Sequence, residues 1–358
     1  MFRVLVAAAF FVLGQSAAYA AELDAPKIVG KVIDGFVRPA YHGFHQATSQ
    51  LSTDVKALCS APSGAALATA RKAFGGTVDA WSKAEIIRFG PVTEQNRLDR
   101  ILFWPDRKSI GLKQVQAAIQ SKDETAADPA QLAAKSVAMQ GLGALEFVLF
   151  GTDADTLAGT DGAYRCSFGA SIAINLDTMA SELEQAWNAP DGFAGTWAKP
   201  GANNPLYRNN DEAVGELFDV FVTGLEMDRD VRLGGFLGKM TAAEDKPKQA
   251  LFWRSEKTVD SVAGNLAGMK ALFEISGLGD ALSDEMRWIE NSINFEFANA
   301  ARAAAGSEGP LTEVLADPQR RGRLSYFSVV TSSLSELFGK RLAGELGLTS
   351  GFSSLDGD

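Results

Sequence analysis

The sequence predicts an all-α protein made of two helical-bundle domains packed together. Three observations carry this. Apolar residues recur at helical spacing along most of the chain. Alternating β-branched runs of strand length are missing. Breaker clusters rich in proline and glycine separate the periodic stretches.

The elements follow in order. Phe44, Thr48, Leu51, Val55 and Leu58 step by four and three, so they share one face of a helix. Ile172, Leu176, Met179, Leu183 and Trp187 repeat the pattern, as do Phe327, Val330, Leu334, Leu337 and Arg341. Breaks are expected at Ala61 to Gly64, Gly90-Pro91, Pro105-Asp106, Ala189 to Gly192 and Gly306 to Pro310. Ser63 and Asp128 read as helix N-caps, and Pro129 suits the first helical position after the second. Such a series of antiparallel helices is what bundles require.

Residues 1–20 read as a secretory signal. Arg3 is the positive residue, Val4 to Leu13 the apolar run, and Ala18-Tyr19-Ala20 the small-residue cleavage site. The run is shorter than the roughly 20 residues a spanning helix needs. No later segment is long and apolar enough to span, so the mature chain is expected to be soluble, exported and periplasmic. Its roughly 335 residues exceed what one core usually organises. The stretch Asn188 to Asn210, rich in proline, glycine and asparagine, is the expected boundary. It divides an N-terminal bundle, 21–190, from a C-terminal bundle, 205–358. Phe103-Trp104 with Lys108-Ser109 is echoed by Phe252-Trp253 with Lys257-Thr258, which fits either duplication or chance.

Acidic residues outnumber basic ones, 44 to 34. Basic clusters are small and scattered, so nucleic acid is not expected as a partner. Cys59 and Cys166 are the only cysteines. In an oxidising compartment they suggest one disulfide, the alternative being two buried thiols. A bridge would close a loop of about 100 residues and contribute roughly 4–5 kcal/mol in the chain-entropy model.

Several chemistries are excluded. His42 and His45 are the only histidines, so one chain cannot supply three imidazoles. HExxH, Walker A, Rossmann and GxSxG patterns are missing. His42 and His45 would share a helical face, as a partial metal site or as ordinary surface histidines. Glu85 and Arg88 close an apolar helix, and Arg97, Asp99, Arg100 and Asp106 follow among aromatic residues. That mixture reads as a cleft wall or as a buried ion-pair network. Glu226, Arg229, Asp230 and Arg232 form a second charged run, and Arg254-Ser255 follows Trp253. If the bundles face each other, these groups line a cleft; otherwise the run is a solvated helix face.

The blocks RFGPVTEQNRLDRILFWPDRK, KSVAMQGLGALEFVLFG, RCSFGASIAINL, GLEMDRDVRLGGFL, KPKQALFWRS and LGLTSGFSSLDGD resemble, in order, those of the imelysin-like proteins. The resemblance covers nearly the whole mature chain. It implies two helical bundles, export to the bacterial envelope and an association with iron acquisition. The family name also carries a metallopeptidase label. Its marker, GxHxxE, falls on Gly141, Gly143 and Glu146, with glycine where the histidine should stand. A histidine and a glutamate three apart on a helix could jointly hold a metal, but glycine supplies no ligand. The two glycines instead allow close helix packing or close approach by a ligand. Glu146 is left as a lone metal ligand, a partner for an arginine such as Arg88, or a structural acid.

The expectation is therefore a non-catalytic periplasmic binding protein implicated in iron uptake. Its partner would be iron or an iron-bearing ligand, and its site candidates are Glu146, Glu85, Arg88, Asp106, Arg254 and Ser255. The alternatives are a metallopeptidase of the family and an interaction partner of an envelope transport complex.

Overall fold

The computed structural model of the chain describes residues 23–348. The expected signal peptide and the last part of the closing sequence block lie outside them. Among the described residues there is no strand, and no helix is long and apolar enough to cross a membrane.

The N-terminal part begins with α1 (Ala25–Val32), which runs through a π-helical turn at Ile33–Val37 into α2 (Arg38–Ser60). The chain turns at the expected breaker into α3 (Gly64–Ala84), which Ser63 caps by accepting from the Ala66 N–H at 3.2 Å. The short α4 (Arg97–Ile101), α5 (Ile110–Ser121) and α6 (Pro129–Leu132) follow. Asp128 caps α6, accepting from the Ala130 N–H at 3.0 Å, with Pro129 at the first position. Then come α7 (Leu142–Phe150) and the long α8 (Ala163–Asn188). The predicted faces of α2 and α8 are buried throughout, because α2 packs between α3 and α8. Cys59 at the end of α2 and Cys166 at the start of α8 form a disulfide, with Cα atoms 5.5 Å apart.

The expected boundary segment is ordered. It forms α9 (Phe193–Trp197), and Trp197 donates its indole N–H to the Ala213 carbonyl at 2.8 Å. Phe89, Trp187, Phe193 and Trp197 pack edge-on around it. The remaining helices are α10 (Asn210–Glu226), α11 (Thr258–Ser276), α12 (Arg287–Ala304), α13 (Leu311–Ala316), α14 (Pro318–Glu336) and α15 (Ala343–Glu345). Phe221 stacks on Phe338 at 4.2 Å, and Phe273 and Phe297 close the core around the pair. One predicted face is corrected here. Phe327, Val330, Leu334 and Leu337 point inward, but Arg341 is exposed. A π-helical turn at Leu337–Leu342 widens the helix, so Phe338 and Leu342 take the core positions instead.

The two groups of helices meet chiefly where α11 packs on α3. Glycine permits the approach: a Cβ at Gly264 would stand 2.7 Å from the Ser82 Cβ, and one at Gly268 would stand 3.1 Å from the Lys83 carbonyl. The first helix also crosses the seam, for α1 packs against α10 and α11.

The disulfide links residues 107 apart, so the double substitution Cys59→Ser/Cys166→Ser should lose about 4–5 kcal/mol of unfolding free energy. Urea titration of the two proteins, without reductant, measures this; an unchanged midpoint would refute it.

Candidate functional site

A cleft of about 510 Å³ opens between the two groups of helices. That volume suits a small molecule. One wall comes from the segment 102–109, α5 and α7; the other comes from residues 230–235 and 248–254. Both aromatic pairs singled out in the sequence, Phe103-Trp104 and Phe252-Trp253, line it.

Glu146 lies on α7 with its side chain almost wholly buried. Its Oε1 accepts from the Arg254 N–H at 3.1 Å, the Ser255 N–H at 3.0 Å and the Ser255 hydroxyl at 2.9 Å. Its Oε2 is 3.9 Å from the Arg254 guanidinium. Burial pushes the Glu146 carboxyl above its usual range, and the donors from Ser255 and Arg254 oppose this only in part. Its arginine partner is therefore Arg254, from the other wall. Arg88 is exposed and does not line the cleft. Asp106 lines it but is occupied: its carboxylate accepts from the N–H groups of Ile110, Gly111 and Leu112 at 2.7, 2.9 and 3.3 Å, closing the start of α5.

The two marker glycines have separate reasons. A Cβ at Gly141 would lie 2.3 Å from the Ile101 carbonyl oxygen and 2.5 Å from that of Arg100, so no side chain fits. Around a Cβ at Gly143 there is nothing within 4 Å. Gly143 is exposed between buried neighbours and lines the cleft.

Glu85 is not in the cleft. It lies at the seam, where Oε1 accepts from Arg232 at 2.6 Å and from the Asn265 amide at 2.9 Å. Arg232 also donates to Asn265 Oδ1 at 2.6 Å and lies 3.6 Å from Asp228. All four side chains are buried. Burial works against the charge of Arg232, but Glu85 and then Asp228 outweigh it and hold the guanidinium protonated. Burial pushes the Asp228 carboxyl well above its usual value, Arg232 offsetting this incompletely and Glu85 adding to it. The charged run 226–232 is thus not simply a solvated face. It contains a π-helical turn, Met227–Leu233, that turns Asp228 and Arg232 inward while Arg229 pairs with Asp230.

These residues do not fit a protein-held metal. Glu146 has three donors on one oxygen and a cation near the other, and Gly143 offers no ligand. Among the described residues, no group of three or more histidine, cysteine, aspartate or glutamate side chains could hold an ion. His42 and His45 both engage Glu184, at 2.7 and 2.5 Å, away from the cleft.

The imelysin family model matches residues 37–336. The chain belongs to the imelysin family. Among curated proteins it is similar to iron-regulated protein A of Synechococcus elongatus, 21% identical over 318 residues, which covers 85% of this chain and 83% of that one. Among solved structures it shares its fold with an imelysin-like protein from Psychrobacter arcticum, at a TM-score of 0.76 and 20% identity, covering 92% of this chain and 97% of the other.

Within this imelysin fold, the sequence reading named Glu146, Arg254 and Asp106, which line the cleft, Ser255, which holds Glu146, Glu85, which lies in the buried ion-pair network kept as the alternative for its segment, and Arg88, which is exposed and outside the cleft. It gave no role to Phe147, Asp228 or Asn265. Neither Asn265 nor Asp228 carries a local signal, since an amide on a helix, or one more acid in a charged run, reads as surface.

Gly141→Ala should destabilise the fold, whereas Gly143→Ala should be tolerated or stabilise it by up to about 1 kcal/mol, a helix-propensity gain. Thermal melts of both variants check this. Arg232→Met, which strands buried Glu85, should cost about 3–5 kcal/mol, and Asp228→Asn distinctly less. The neutral form of Asp228 is favoured by folding, so its contribution is complete below the ordinary value of 3.8 and is lost as pH rises toward the raised folded value. Wild type should therefore lose stability relative to Asp228→Asn as pH rises above about 4 in urea titrations; parallel curves would show that folding does not raise Asp228.

Proposed function

We propose that this chain is a non-catalytic binding protein of the bacterial envelope, exported by its N-terminal segment and linked to iron uptake. An N-terminal bundle, 21–190, and a C-terminal bundle, 205–358, hold the ligand between them. The observation that carries this reading is the state of the charges in the cleft. Every acid there is spoken for: Asp106 by backbone N–H groups, Asp230 by Arg229, and Glu146 by Arg254 and Ser255. Among the described residues Arg107 and Lys248 make no ion pair, and Arg254 makes only the 3.9 Å contact. The cleft therefore offers cations to a ligand and no free carboxylate base to a hydrolytic reaction.

The link to iron is supported by family membership and by the name of the Synechococcus relative, iron-regulated protein A. A cationic cleft suits iron carried as an anionic chelate better than the bare ion. Calorimetry with ferric citrate should show a site that weakens at least about tenfold, or roughly 1.4 kcal/mol, in Arg254→Met. Aqueous ferrous iron should show none. Chelate binding that ignores Arg254, or no chelate binding at all, would remove this reading.

A further inference from the structure

The side chains around Gly143 specify the ligand more closely. Gly143, Glu146 and Phe147 lie within five residues on α7, and all three line the cleft. Spacings of three and four place them on one helical face. At Gly143 that face is bare, with nothing within 4 Å of the missing Cβ. Beside it stands a ladder of alternating rings and cations. The Arg254 guanidinium lies over the Phe147 ring at 5.5 Å and over Trp253 at 4.5 Å, and the Lys248 ammonium lies over Trp253 at 5.9 Å.

The ladder is held in place before any ligand arrives. Glu146 takes the backbone N–H groups of Arg254 and Ser255, which fixes the turn carrying Trp253 and Arg254. The guanidinium itself makes no hydrogen bond among the described residues, so its donors are uncommitted. Arginine presents a planar fork that matches a carboxylate bidentately, and its face stacks on aromatic rings. Bare helix backbone next to aromatic side chains accepts a flat group that a side chain at position 143 would block.

From these placements we infer that the cleft binds a planar aromatic carboxylate directly, its ring over the bare backbone at Gly143 and its carboxylate on Arg254, with Lys248 and Arg107 adding charge. The inference rests on the cleft being the ligand site and needs no metal. Bound iron would then be cargo carried by the acid rather than an ion held by the protein.

The test uses the full chain in buffer containing a metal chelator, with three probes. They are 2-naphthoate, the uncharged planar 2-naphthamide and the charged but non-planar decahydro-2-naphthoate. Calorimetry, with quenching of tryptophan fluorescence as a second readout, should show 2-naphthoate binding at least about tenfold tighter than either relative. Gly143→Leu places its Cβ in open space, so it should melt no lower than wild type while weakening 2-naphthoate about tenfold or more. Arg254→Met should remove the preference for 2-naphthoate over the amide.

Equal affinity for acid and amide, indifference to Gly143→Leu, or no binding of 2-naphthoate at millimolar concentration would each overturn the inference. The two proposals fail separately. Ferric citrate binding without naphthoate binding leaves the chelate reading and removes the planar acid. Naphthoate binding without ferric citrate binding does the reverse.

Discussion

The arrangement depends on one buried cation. Arg232 reaches across the seam between α3 and α11 and meets Glu85 and Asn265, with Asp228 behind it. A guanidinium taken out of water is costly unless its donors are satisfied and its charge is matched. One arginine facing two carboxylates would overmatch it. Burial works against this, because it pushes Asp228 well above its usual range and so favours its neutral form, which leaves Glu85 as the charged partner. The contact also has a steric condition. It closes only if α11 lies close to α3, which Gly264 and Gly268 allow. The π-helical turn that brings Arg232 and Asp228 inward continues directly into residues 230–235 of the cleft wall. The seam therefore sets the position of the site.

Glu146 makes a second tie of the same kind, with backbone in place of a side-chain cation. Its oxygens hold a turn in which Phe252 and Glu256 both adopt left-handed backbone, at φ of 58° and 62°. Such conformations are unfavourable for residues with side chains and persist where surrounding contacts fix them. The clamp supplies those contacts. It also presents Trp253 and Arg254 at the cleft, so a buried acid acts on recognition without touching a ligand.

How much of this was legible in the sequence follows from how far each signal is local. Helical faces on α2 and α8 were readable, because burial on one side imposes the 3.6-residue period. Caps at Ser63 and Asp128 were readable because the donors they satisfy lie within three residues. Arg341 was misplaced because a π-helical turn shifts the period without a composition mark. Glu85 and Glu146 were both noticed as unusual acids, yet their partners, Arg232 and Arg254, lie more than a hundred residues away. Charge near an apolar run shows that a partner must exist; it does not say which arginine. The boundary segment shows the same limit. Its prolines and asparagines describe a loop, while Trp197 and Phe193 within it pack into a buried aromatic cluster.

The pattern at 141–146 now has a physical explanation. An acid kept beside a missing histidine looks like half of a dismantled metal site. Glu146 has a sufficient reason to remain without any metal. Removing it would leave the N–H groups of Arg254 and Ser255 without their acceptor between two packed walls, at about 1–3 kcal/mol for each donor stranded away from water. Gly141 has a reason as well, since any side chain there meets the backbone at Arg100 and Ile101. Position 143 alone is under no such constraint from the fold. It lines the cleft with open space where a side chain would stand, so it is the part free to follow the ligand.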